Sequence, residues 1–124
     1  MIFGIGVDQV DLNRVRKLLD KSRTKFEKRC FTDSEIIYAN RFADPSKRLG
    51  ARFAGKEAVM KSIGKGWRQV NWRDIEITGG GKPEVILHGK AKDLASKSKI
   101  DNVHISLSHE KNAAIAFAIS EVSN

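Results

Sequence analysis

"GARFAGKEAVMKSIGKG", Gly50 to Gly66, is the stretch on which the fold turns. Its apolar and small residues recur at helical spacing, yet it holds a carboxylate in an unusual place. At roughly 100° per residue, Glu57 points within about 40° of Phe53 and about 60° of Met60. An amphipathic helix ordinarily turns its acids away from its bulky apolar side chains. Glu57 therefore needs a partner from elsewhere in the chain. Asp44-Pro45-Ser46 breaks the pattern upstream, so the spacing predicts one long helix from about Ser46 to Ile63.

Towards the N-terminus, Met1 to Val10 reads as a strand, with Phe3, Ile5 and Val7 on one face and Gly4, Gly6 and Asp8 on the other. Asp11 to Leu19 has helical spacing, and a short basic helix follows through Lys21 to Cys30. Thr32 stands three residues before Glu35, a capping-box signal for a new helix. Towards the C-terminus, "DIEIT" and "PEVILHG" are strands joined by the turn "GGGK". "AKDLASKSK" is a further helix. "NVHISLSH" and "NAAIAFAIS" form a β-hairpin turning at His109 to Asn112. The last strand is apolar on both faces, which predicts cover on both sides. The pattern is mixed α+β, with an antiparallel sheet and the helices mostly in the first half.

The 124 residues suit one domain over 1–124, without repeat or linker. No apolar run approaches a membrane span, and the opening lacks a signal-peptide pattern. The lone Cys30 has no internal disulfide partner, which suits a reducing compartment. A soluble cytoplasmic chain is the expectation. Lys plus Arg exceed Asp plus Glu by 23 to 15, a formal net charge of +8 that favours a polyanionic partner.

Asp8 ends an apolar strand on the face its glycine neighbours leave bare, so another group can approach closely. Two readings stand: Asp8 caps the next turn, or it joins Glu57 in a metal site. A buried carboxylate needs a cation or donors to offset desolvation, and two carboxylates without nitrogen or sulfur ligands suit Mg²⁺. Arg48, Arg52 and Lys56 form a column at i, i+4, i+8, either a solvated stripe or a seat for an anion. Lys61, one turn after Glu57, either pairs with it or reaches a phosphate at the metal. Ala51, Gly55, Ala58 and Ser62 make a small-residue strip against which a backbone element can pack. His109 reads first as a solvated turn residue, and His88 and His104 show no zinc-ligand spacing with it. Trp67 and Trp72 read as core or rim packing rather than base-stacking platforms.

Together these segments resemble the holo-acyl-carrier-protein synthase family of 4′-phosphopantetheinyl transferases. "GIGVDQVDLNRV", "FTDSE", "RFAGKEAVMKSIGKG", "GKPEVILHGKA" and "ISLSHE" match its motifs in order, nearly end to end. Gln9, Asp11 and Gly55 depart from the commonest pattern and touch no charged site residue. The resemblance implies the transferase fold, an antiparallel sheet packed with a long central helix and several shorter helices. It also implies transfer of the phosphopantetheine arm of coenzyme A to a serine of apo-acyl carrier protein, in support of fatty acid biosynthesis.

In that resemblance Asp8, Glu57 and the coenzyme A diphosphate hold Mg²⁺. Lys61 stabilises the leaving phosphate. Glu57, acting through water on the metal, is the first candidate base, with His109 second. Arg48, Arg52, Lys61 and His109 bind coenzyme A phosphates. Arg14 matches the family's docking arginine, and Arg16, Lys17, Lys21 and Arg23 extend a basic surface for the acidic carrier, with Leu18 and Phe26 as apolar centre. The family is typically trimeric, with active sites between subunits. Two alternatives use fewer of these features: a basic nucleic-acid-binding domain, and an Mg²⁺-dependent phosphodiesterase, which would want more acidic ligands. The expected partners are therefore coenzyme A and carrier protein, without nucleic acid or membrane.

Overall fold

The computed structural model describes residues 1–64 and 69–123. Trp67 lies outside the described residues. The elements run β1 (Ile2–Asp11), α1 (Leu12–Cys30), α2 (Asp33–Ala39), α3 (Ser46–Ile63), β2 (Ile75–Ile77), β3 (Val85–Leu87), α4 (Gly89–Lys97), β4 (Ile100–His109) and β5 (Ala113–Val122). The long helix begins and ends where the spacing predicts. Asp44 accepts from the backbone N–H of Ser46 at its start, and Gly64, in the left-handed conformation, closes its end. The two helical segments read before Cys30 are both present within α1 and meet at a kink, where Ser22 leaves helical geometry. The capping box of Thr32 and Glu35 is formed.

α3 is the central element. Leu49, Ala54, Ala58, Val59, Met60 and Ile63 are all buried, on several faces of the helix. It lies on an antiparallel sheet of order β1-β5-β4, while β2 and β3 form a separate pair. The register places Gly6 opposite Ala118 and Asp8 opposite Ala116. On β5, Ala114, Ala116, Ala118 and Ser120 face α3 and are buried, and the Ser120 hydroxyl donates to the Ser62 carbonyl at 2.7 Å.

The small-residue strip serves the contact between helix and sheet. A Cβ on Gly6 would overlap the Ala58 carbonyl oxygen, and one on Gly4 the Ser62 carbonyl. β1 and α3 therefore approach backbone to backbone, with no flexible side chain to yield. Gly6→Ala is expected to cost about 3 kcal/mol or more, at or above the upper end of typical overpacking, because the obstacle is main chain. Urea denaturation measures this, and a variant within about 0.5 kcal/mol of wild type would contradict the close approach.

The expectation that β5 is covered on both faces holds on one. Ile115 and Phe117 on its other face remain exposed, beside Phe3, Ile5 and Val7 of β1. One chain therefore leaves a row of large apolar side chains across two paired strands in solvent.

Candidate active site

The bare glycine face of β1 brings Asp8 to α3. Lys61 Nζ donates to the Val7 carbonyl at 3.0 Å and lies 3.4 Å from Asp8 Oδ1. Asp8 and Glu57 are hydrogen-bonded to each other across the strand–helix contact. Burial above all, then that hydrogen bond and the Asp8 charge, push the Glu57 carboxyl up to about 7, against the opposing effect of Lys61. Glu57 is thus short of positive charge, with Asp8 beside it and Lys61 largely exposed. Among the described residues there is no group of three or more His, Cys, Asp or Glu placed to hold a metal. A cation here would take two carboxylates from the chain and the rest of its oxygens from water or substrate, a donor set that fits Mg²⁺.

The raised pKa of Glu57 has a stability consequence of defined sign. Between the ordinary carboxylate value and about 7, the folded chain holds a proton that the unfolded chain releases. Without divalent cations, the Glu57 carboxyl therefore costs stability as pH rises through that window, and costs nothing below it. Glu57→Gln is expected to melt higher than wild type at pH 8 and level with it at pH 4, both in EDTA. A lower melting temperature for the variant at pH 8 would contradict the assignment.

The second cluster lies at the other edge of the sheet. Arg48 stacks over Phe42 with its guanidinium carbon 3.6 Å from the ring centre, and Arg52 lies 4.7 Å over Tyr38. Partial burial, then the charges of Arg48, Lys47 and Arg52, hold the His109 imidazole below its usual range. Arg52 is buried, donates from Nη2 to the Thr78 carbonyl at 2.9 Å, and its buried Nε has no hydrogen-bond partner among the described residues. The column of three cations is broken at Lys56. Its ammonium is wholly buried, 2.7 Å from Glu35 Oε1, and also donates to the carbonyls of Trp72 and Ile75. Lys56 is neither part of a solvated stripe nor open to an anion.

Arg48 and Glu57 are nine positions apart, about 900° of rotation, so they leave α3 on opposite sides. Asp8 and His109 stand on the two edge strands, β1 and β4. Within one chain the carboxylate pair and the basic cluster do not meet.

On α1, Arg14, Lys17 and Lys21 are exposed, and Leu18 is 44% exposed. Leu18 and Phe26 share a groove of about 450 Å³ with Lys25, Arg29, Phe53 and Trp72. Trp72 stacks on Phe53 at 4.5 Å, as core-or-rim packing predicts, and Phe53 precedes Glu57 by one turn of α3. Arg16 and Arg23 differ from the expectation of free docking cations. Arg16 pairs with Asp44 at 3.1 Å, and Arg23 with Glu27 at 3.3 Å and the Asn40 side chain at 2.5 Å. His88 and His104 pair with Glu76 and Glu121. Cys30 is buried, and burial raises its thiol to about 11. Sequence reasoning missed the Glu35–Lys56 partnership, although Glu35 was visible as a capping residue.

Residues 4–118 match the family model of the 4′-phosphopantetheinyl transferase superfamily, and the chain belongs to that family. It is 47% identical over 125 residues to the holo-[acyl-carrier-protein] synthase of Clostridium kluyveri, covering 98% of this chain and 92% of the relative. Among solved structures, it superposes on the holo-[acyl-carrier-protein] synthase of Neisseria meningitidis with a TM-score of 0.88 at 35% identity, over 98% of this chain and 99% of that one. The synthase of Bacillus anthracis, solved in complex with CoA (3′,5′-ADP), superposes with a TM-score of 0.81 at 35% identity over 99% of both chains. The fold is thus the α+β architecture of these synthases.

Proposed function

We propose that this protein is a holo-acyl-carrier-protein synthase, one transferase domain over residues 1–124 that moves phosphopantetheine from coenzyme A to a serine of apo-acyl carrier protein. The observation that carries the reading is the Asp8–Glu57 pair beside Lys61, on the fold shared with the synthases. The serine oxygen forms a bond to the phosphorus that carries the pantetheine. The bridging P–O bond breaks, and adenosine 3′,5′-bisphosphate leaves. The serine proton passes to a base, for which Glu57, acting through a water, is the first candidate. His109, whose imidazole is held below its usual range by partial burial and then by its cationic neighbours, is the second.

Asp8 and Glu57 would hold Mg²⁺, which when bound supplies charge neutralisation at the diphosphate oxygens. Lys61 faces the charge that grows on the leaving phosphate. Arg48, Arg52 and His109 receive the coenzyme A phosphates, and the unpartnered Arg52 Nε is a donor that such an oxygen would satisfy. Arg14, Lys17 and Lys21 steer the acidic carrier to α1, where Leu18 and Phe26 line a groove shared with Phe53, one turn of α3 before Glu57. Because the two clusters leave α3 on opposite sides, the carboxylates of one chain require the basic cluster of another. The exposed apolar face of β1 and β5 supplies a surface for that assembly, and a homotrimer fits it.

Among the described residues no helix is long and apolar enough to cross a membrane, and a cytoplasmic enzyme of fatty acid biosynthesis is consistent with this. The relatives support neither a phosphodiesterase nor a nucleic-acid-binding reading. Intact-mass spectrometry of apo-carrier incubated with the protein, coenzyme A and Mg²⁺ tests the reading. The expected result is a phosphopantetheine mass increase that EDTA abolishes. Release of adenosine bisphosphate without a modified carrier would indicate hydrolysis instead and overturn it.

A further inference from the structure

Arg16 sits in the most basic stretch of α1, between the exposed Arg14 and Lys17, yet its guanidinium is committed inward. Nε and Nη2 donate to Asp44 Oδ2 at 3.3 and 3.1 Å, and Nη1 donates to the Asn13 side chain at 3.1 Å. Nη2 also donates to the Lys111 carbonyl at 2.9 Å. The other Asp44 oxygen accepts from the Ser46 backbone N–H at 3.1 Å and from the Ser46 hydroxyl. The Ser46 hydroxyl, with Arg16 contributing further, holds the Asp44 carboxyl below its usual range, so the clasp is charged at neutral pH. Beside it, the backbone N–H of Leu12 donates to the Asn112 carbonyl at 2.9 Å.

One guanidinium thus joins three elements: α1, the start of α3 and the turn between β4 and β5. Lys111 follows His109 by two residues, and Arg48 follows Ser46 by two. Both sides of the basic cluster are anchored to the same side chain. Arg14, Lys17 and Lys21, by contrast, make no hydrogen bond or ion pair among the described residues and remain open to a partner.

We propose that Arg16 is a positioning residue rather than a docking cation: the Arg16–Asp44 clasp sets the spacing between His109 and Arg48, and with it the affinity for the coenzyme A phosphates. The inference rests on the transferase reading above. The planar guanidinium fork meets the carboxylate through two donors and the carbonyl beside it, a geometry the compact lysine ammonium does not reproduce in full.

The test is steady-state transfer by Arg16→Gln, Asp44→Asn and Arg16→Lys, with the KM for coenzyme A and the KM for apo-carrier measured separately. Asp44→Asn keeps an oxygen acceptor for Ser46 and so reads the clasp even where Arg16→Gln folds poorly. Both variants are expected to raise the coenzyme A KM about tenfold, as loss of a hydrogen bond to a charged group predicts, with the carrier KM within about twofold. Arg16→Lys recovers part of the loss. Arg14→Ala, the comparison, raises the carrier KM instead. A rise in the carrier KM alone, a comparable rise in both, or no change in either overturns the proposal. Wild-type turnover tests the transferase reading, whereas the ratio of variant to wild type tests the clasp, so the two failures are distinguishable.

Discussion

Asp8→Asn and Glu57→Gln are each expected to lower phosphopantetheine transfer by about 10³-fold or more while leaving the chain folded. Each substitution keeps the shape of the side chain and removes one of the two negative charges that meet between β1 and α3. If the pair holds the cation that neutralises the diphosphate, several kcal/mol of transition-state stabilisation is lost with either charge. About 4 kcal/mol corresponds to about 10³ in rate. The fold has no reason to suffer, because each amide can still donate to or accept from the remaining carboxylate. Rate by product mass, alongside thermal melting, separates the two effects. A variant that keeps more than about a tenth of wild-type activity would contradict the metal site.

Lys56→Met is expected to destabilise the fold by about 3–5 kcal/mol, because it leaves the Glu35 carboxylate buried without its cation. Glu35 is 2% exposed and joins three segments: its Oε1 accepts from Thr32 N–H at 2.8 Å and from Lys56, while its Oε2 accepts from Ile77 N–H at 2.8 Å. The pair ties the start of α2, the middle of α3 and the strand β2 together. Adding Glu35→Gln to Lys56→Met removes the stranded charge and keeps an acceptor for one N–H. The double variant is therefore expected to recover a substantial part of the loss in urea denaturation. A single Lys56→Met variant within about 1 kcal/mol of wild type would show the pair to be dispensable.

The sequence was legible where local chemistry decides structure. The limits of α3 follow from the Asp44-Pro45-Ser46 break and the apolar spacing, and the helix at Asp33 follows from Thr32 and Glu35. The meeting of Asp8 and Glu57 was legible for a different reason: a glycine face on a strand and a carboxylate on an apolar helix face each lack a partner, and each supplies the other. Lys56 was not legible. Its spacing from Arg48 and Arg52 makes it one of a column, and only a residue 21 positions away in sequence takes it out of that column. Arg16 is similar, since its partner Asp44 lies 28 positions away and its neighbours on α1 are ordinary exposed cations. The two apolar faces of β5 were legible as such, but a single chain covers one of them. The other stays exposed in one chain, and local spacing carries no signature of what would cover it.

The central claim is that transfer runs at a site no single chain completes, the carboxylates on one side of α3 and the basic cluster on the other. Mixing two inactive variants tests it most directly: Glu57→Gln, and a chain carrying Arg48→Ala with His109→Ala, dissociated together and reassembled. If neighbouring chains share the site, random mixing joins an intact carboxylate pair to an intact basic cluster at about one site in four, and about a quarter of wild-type activity returns. If each chain holds its own complete site, the mixture stays as inactive as its components, and the shared site is wrong.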